Sequence, residues 1–132
     1  MKKKMMMMLA LLSVTAQAGA QGLDGKSLFG KNCAACHQAS GAGIPGAFPA
    51  LRGNPFVQGD SGAVIATVLK GRGGMPTFAA SIDDEQLALV LSYIRQAWGN
   101  QGAAVAAQQV GMVRSASGAG DAVRQEQPTN VH

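Results

Sequence analysis

The chain has little of several things. It carries two cysteines and two histidines in 132 residues, its aromatic residues make up 5% and its charged residues 14%. Two cysteines allow one disulfide at most, and the two-residue gap between Cys33 and Cys36 would make that bond strained and reactive rather than structural. With His132 at the far end, the histidines and cysteines fall short of a compact four-ligand zinc site. No segment shows the period-two alternation of a half-buried strand. The apolar run at residues 5–14 is too short to cross a bilayer. The formal charge of +4 is also less than it looks. Lys2, Lys3 and Lys4 stand at the very start, and without them the two signs nearly balance at about +1. No basic cluster remains to track phosphates, which disfavours nucleic acid as a partner.

The start of the chain reads as an export signal. A basic n-region is followed by the apolar run 5–14 and then by Ala16-Gln17-Ala18 and Ala18-Gly19-Ala20, two small-residue cleavage patterns. A signal peptide over residues 1–20 is expected, with the mature chain beginning near Gly19 or Gln21. The same segment contains five of the seven methionines, so only Met75 and Met112 remain beyond it.

What is present points to helices and loops. Asp24 can cap a helix running through Leu28 and Phe29 into the cysteine pair. Residues 38–56 include G-A-G-I-P-G-A-F-P-A-L-R-G-N-P, with three of the five prolines, and read as a long ordered loop. Ser61 can cap a short helix with Val64, Ile65, Val68 and Leu69 on one face, stopping at Gly71. R-G-G-M-P-T-F then forms a glycine-rich turn that displays Met75. Ser81 and Asp84 have capping-box spacing before a helix striped by Leu87, Val90, Leu91, Ile94 and Trp98. A weaker helix is expected at 103–114, and the chain from Ser115 onward has the composition of a disordered tail. The expected class is all-α, with four or five short helices. The expected division is a domain over 21–100, an extra helix over 101–116 and a tail over 117–132.

The chemistry lies in K-N-C-A-A-C-H, residues 31–37. Cys33 and Cys36 suit a redox dithiol, part of a metal site, or the covalent attachment of haem. A redox C-x-x-C sits in an α/β setting that this chain does not offer. Zinc lacks its fourth ligand. The haem reading uses all three residues. Cysteines three apart on a short helix point to one side, where they meet the two porphyrin vinyl groups, and His37 falls beneath the iron. Among the possible sixth ligands, Met75 lies in a glycine-rich loop just before a proline, whereas Met112 lies in a helix where methionine is ordinary filler. Lys70 is the competing ligand.

With these motifs the chain resembles the class I c-type cytochromes, small monohaem bacterial proteins, over roughly residues 24–98. Gly25 and Phe29 match that family's N-terminal helix, and Tyr93 matches the aromatic that packs on the glycine from the C-terminal helix. F-P-A-L at 48–51 matches the loop whose proline carbonyl accepts a hydrogen bond from the proximal histidine, which assigns Pro49 to His37. G-M-P at 74–76 matches the sixth-ligand loop. The resemblance implies one covalently bound haem c, with thioethers to Cys33 and Cys36, His37 as proximal and Met75 as distal iron ligand, and no catalytic residues. It implies a periplasmic or otherwise exported one-electron carrier rather than an enzyme. Its partners would be redox proteins (a dehydrogenase, a quinol-oxidising complex or a terminal oxidase), with no small-molecule substrate and with membrane association only through a partner. Arg52 and Arg72 are candidates to meet the propionates. An iron left open by a weak Met75 bond would instead make a peroxidase or gas sensor, and permanent docking in a complex would change the partner but not the chemistry.

Replacing both Cys33 and Cys36 by alanine should leave no covalently held haem. Denatured double variant whose haem still resisted acid-acetone extraction would overturn the attachment assignment.

Overall fold

Asp24 starts the described fold. Its carboxylate accepts from the Ser27 amide at 2.8 Å and the Ser27 hydroxyl at 3.0 Å. These bonds hold its pKa below the usual carboxylate value and satisfy donors that helix geometry leaves orphaned. The computed structural model describes residues 23–125; the expected signal peptide over residues 1–20 lies outside them. Six helices form among the described residues: α1 (Gly25–Asn32), α2 (Ala34–His37), α3 (Pro55–Gln58), α4 (Ser61–Lys70), α5 (Asp84–Gln96) and α6 (Ala107–Gln125), with a 3₁₀ turn at Ala97–Gly99. The protein is all-α. The only extended pairing among the described residues is two isolated bridges, Ile44 with Phe48 and Arg72 with Met75.

Two elements exceed the expected set. The proline-rich loop gives way at Pro55 to the one-turn helix α3, because Asn54 accepts from the amides of Phe56 and Val57 and Pro55 suits a first helical position. The C-terminal helix begins later and runs further than 103–114. Arg95 Nε takes the Ala103 carbonyl at 2.8 Å, and the Ser92 hydroxyl takes both the Val105 amide and its carbonyl. Residues 101–106 therefore stay outside a helical ladder. Helix α6 then continues through the residues read as the start of a disordered tail, as far as Gln125; residues 126–132 are not among those described.

Two caps also differ from the sequence reading. Asp60, not Ser61, caps α4 by accepting from the Ala63 amide at 2.7 Å. Ser61 is helical, and its hydroxyl instead accepts from Gln109 Nε2 on α6 at 2.6 Å. At α5 the capping box is Asp83 with Gln86, not Ser81 with Asp84. A carboxylate one residue ahead of the helix wins in both places because it is the stronger acceptor for the free amides.

The core forms where α1 crosses α5. Leu28 and Phe29 of α1 meet Leu87, Val90, Leu91 and Ile94 of α5, with Val64, Ile65 and Leu69 of α4 and Val105 and Val110 beyond. Each such side chain contributes about 1.5–3 kcal/mol when fully buried. Gly25 sets the closeness of the crossing. A Cβ there would lie 2.2 Å from the Leu89 carbonyl oxygen and 2.7 Å from the Tyr93 Cβ. Phe29, Tyr93 and Trp98 then share edge and tilted contacts, with ring centroids 5.2–5.6 Å apart.

Gly25→Ala should lower the unfolding free energy of the holoprotein by about 1–3 kcal/mol, the usual cost of overpacking. Urea denaturation would show this as a lower midpoint at unchanged slope; an unchanged midpoint would mean that the crossing tolerates a wider gap.

Candidate haem site

Helix α1 ends on the motif. The Cys33 amide still bonds to the Phe29 carbonyl at 2.9 Å, but its φ of −126° breaks the helix. A single turn follows, α2, in which the His37 amide bonds to the Cys33 carbonyl at 3.0 Å. One short helical turn thus presents Cys33, Cys36 and His37 together. The thiols are not joined to each other. Burial pushes the Cys33 thiol up to about 11, with the neighbouring Cys36 adding to the shift.

His37 is buried, and its Nδ1 lies 2.9 Å from the Pro49 carbonyl oxygen. A carbonyl only accepts, so Nδ1 carries the proton and Nε2 carries the lone pair. Nε2 has no hydrogen-bond partner among the described residues, and no buried side-chain nitrogen or oxygen there is left unsatisfied. The free lone pair therefore faces accessible space.

The loop behind Pro49 is a folded object. The Gly43 amide bonds to the His37 carbonyl, Ile44 and Phe48 pair through their backbones, and the amides of Leu51 and Arg52 both reach the Gly41 carbonyl. Gly43 has φ 63° and no room for a side chain, since a Cβ would lie 2.6 Å from the Pro49 oxygen. A cleft of about 320 Å³ opens along the loop, lined by Ala42, Pro45, Phe48 and Pro49 among others. Neither cysteine, His37 nor Met75 lines it. Ile44 and Phe48 leave apolar surface open beside it.

Residues after α5 hold both ends of this loop. Trp98 adopts φ 54°, ψ 29°, which lays its ring on Gly41, where a Cβ would come within 2.6 Å of the ring. Its Nε1 donates to the Ala39 carbonyl at 3.2 Å. Asn100 is buried and fully used. Its Oδ1 accepts from the Gly53 amide at 2.8 Å, and its Nδ2 donates to the carbonyls of Leu51 and Ile94 at 3.1 and 2.9 Å. Arg95, 3% exposed, donates to the carbonyls of Val57, Gly59 and Ala103, so that carbonyl dipoles rather than a carboxylate surround the buried charge.

Met75 is half-buried on a separate turn. Its amide and carbonyl pair with Arg72 at 3.0 and 3.2 Å. The tight glycine is Gly71, whose Cβ would lie 2.6 Å from the Met75 oxygen at φ 75°; Gly73 and Gly74 stand in open space. The Thr77 hydroxyl donates to the Leu69 carbonyl, and the Phe78 amide to the Val68 carbonyl, tying the turn to α4. The fold thus brings Cys33, Cys36, His37 and Pro49 into one group, and no hydrogen bond joins Met75 to it among the described residues.

Residues 20–94 match the family described as "Cytochrome C oxidase, cbb3-type, subunit III". The cytochrome c-552 of Thermus thermophilus is 35% identical over 114 residues, which cover 74% of each chain. The chain belongs to the class I cytochrome c family. The cytochrome is also 34% identical over 94 residues to the cytochrome c subunit of a quinone-dependent alcohol dehydrogenase from Gluconobacter oxydans, a match covering 62% of this chain and 20% of that subunit. The cbb3-type oxidase subunit CcoP of Azospirillum brasilense is 31% identical over 84 residues, 58% of this chain and 28% of that one. The cytochrome spans only 20–22% of the length of the alcohol dehydrogenase subunits that it matches. Its cofactor is covalently bound haem c. The donor set found here suits that cofactor: two thiols on one helical turn and an imidazole with its Nε2 lone pair uncommitted.

The sequence reading did not assign roles to Asn100 or Arg95. Arg95 had a visible signal, since it falls on the apolar stripe at 87, 91 and 95, where a charge must be either solvated or enclosed. Asn100→Leu keeps the volume but strands one amide and two carbonyls. It should cost roughly 1–3 kcal/mol in stability and speed hydrogen exchange at the Gly53 amide. Unchanged Gly53 protection would show that the loop does not depend on Asn100.

Proposed function

We propose that Cys33 and Cys36 hold the haem through thioether bonds, that His37 Nε2 is the proximal iron ligand, and that Met75 is the distal one. The observation that carries this reading is the His37 Nδ1 contact with the Pro49 carbonyl. It fixes the ring's tautomer and orientation and makes Nε2 a better donor, as second-shell partners do for metal-binding imidazoles. Met75 is favoured over Lys70 because it is half-buried on a turn braced by α4, whereas Lys70 is exposed. Haem c, when bound, supplies an iron that gains and loses one electron. The protein's part is to keep both axial positions filled, to wall the ring with apolar side chains such as Ile44 and Phe48, and to hold the ligands still. A neutral thioether opposite an imidazole raises the potential.

With no axial position left for a substrate, the chain is a carrier and not an enzyme. Its partners are respiratory redox proteins; the names of its relatives support a dehydrogenase or a terminal oxidase, and a quinol-oxidising complex would suit the same chemistry. The basic and apolar leader supports an exported, periplasmic location. Among the described residues no helix is long and apolar enough to cross a membrane.

Met75→Ala tests carrier against enzyme. It should lower the reduction potential on the order of 0.1 V, a fraction of the ~0.8 V range set by axial ligands, and should open peroxidase-like turnover. Met112→Ala, at a side chain 62% exposed, is the control and should change neither. A large shift from Met112→Ala, or rapid carbon monoxide binding by the unaltered ferrous protein, would overturn the proposal.

A further inference from the structure

Helix α6 carries none of the haem motifs, yet one of its side chains commits its whole guanidinium to the chain leading away from Met75. Arg114 Nε meets Asp84 Oδ1 at 2.7 Å, Nη1 donates to the Ala79 carbonyl, and Nη2 donates to the Ile82 carbonyl at 2.8 Å. Gly111, one turn earlier, makes the approach possible, since a Cβ there would already lie 3.0 Å from Asp84 Oδ2. Val110 behind it is fully buried and seats α6 against the core.

Residues 71–83 form one excursion between α4 and α5, with Met75 near its middle. Just after Met75 the excursion is braced by α4, where Thr77 and Phe78 donate to the Leu69 and Val68 carbonyls. In its second half Ile82 is buried, but Ala79, Ala80 and Ser81 are exposed. The backbone bonds of Ser81 and Ile82 go only to Phe78, inside the excursion itself. The hydrogen bonds that tie 79–82 to a different element come from Arg114.

We propose that Arg114 is a positioning residue for the distal ligand: by pinning Ala79 and Ile82 to α6 and α5, it holds the Met75 loop closed over the iron against external ligands. This rests on the reading of Met75 as that ligand. The thioether is the weak bond of the set, so the energy needed to swing its loop away governs how readily another ligand enters. The ion pair itself is partly exposed and contributes little. The two charge-assisted bonds to carbonyls contribute more, and lysine, a single point donor, reproduces only part of them.

The test is imidazole titration of the exported ferric holoprotein, followed in the methionine-to-iron charge-transfer band. Arg114→Ala should bind imidazole about five- to tenfold more tightly than the parent, the shift expected from losing the equivalent of about one ordinary hydrogen bond at a partly exposed site. Arg114→Lys, the variant more certain to fold, should fall between the two. Val110→Ala lowers thermal stability through the same helix while leaving the Arg114 guanidinium in place, and it should stay within about twofold of the parent. Parent-like affinity in both Arg114 variants would overturn the proposal, as would an equal shift in Val110→Ala. A parent that lacks the charge-transfer band would overturn the ligand reading and this proposal with it. A band present in the parent, with imidazole affinity indifferent to Arg114, would overturn this proposal alone.

Discussion

One hydrogen bond, from His37 Nδ1 to the Pro49 carbonyl, governs the site, and much of the fold serves to hold its acceptor still. A carbonyl in a loop is a poor anchor unless the loop is itself anchored. Here Trp98 lies on Gly41 at one end of the loop, and Asn100 binds Leu51 and Gly53 at the other. Both belong to the turn that ends α5. The position of α5 is in turn fixed by its crossing with α1, the helix that leads into the cysteines. The chain of dependence closes on itself, from α1 to the motif, to the loop, to the turn, to α5 and back to α1 at Gly25.

The two sides of the proposed iron site are supported differently. The His37 side is held by main-chain acceptors and by buried, fully satisfied polar groups, which are costly to disturb. The Met75 side is a short excursion with an exposed second half, tied to α4 at Thr77 and Phe78 and to α6 at Ala79 and Ile82. This division suits the proposed carrier, in which the imidazole would have to keep one tautomer while the thioether would need only to be kept from leaving. It would also give α6 a part in the site without supplying a ligand.

Arg95 and Asn100 share a logic. Each is a polar side chain in an apolar setting, enclosed by backbone carbonyls or amides of loop segments and helix ends. Val57, Gly59 and Ala103 surround the guanidinium; Leu51, Gly53 and Ile94 surround the amide. Small helical proteins with long loops leave many main-chain groups outside any ladder, and a few well-placed side chains must satisfy them.

The residues alone carried the haem-attachment pattern and the two helices α4 and α5. C-A-A-C-H is local, so its meaning survives without knowledge of the fold, and α4 and α5 announce themselves through apolar stripes that no loop reproduces. The starts of α1, α4 and α5 were legible to within a residue or two, but the caps of α4 and α5 went to Asp60 and Asp83, carboxylates that outcompete a hydroxyl for the free amides. How distant segments satisfy one another came from the packing of the helices: Asn100 with Gly53, Arg95 with Val57, Arg114 with Ala79, and residues 101–106 drawn out of a helix by Ser92 and Arg95. These bonds join residues 8 to 47 positions apart, and a hydrogen bond's partner across such a gap is set by how helices pack, not by any spacing along the chain.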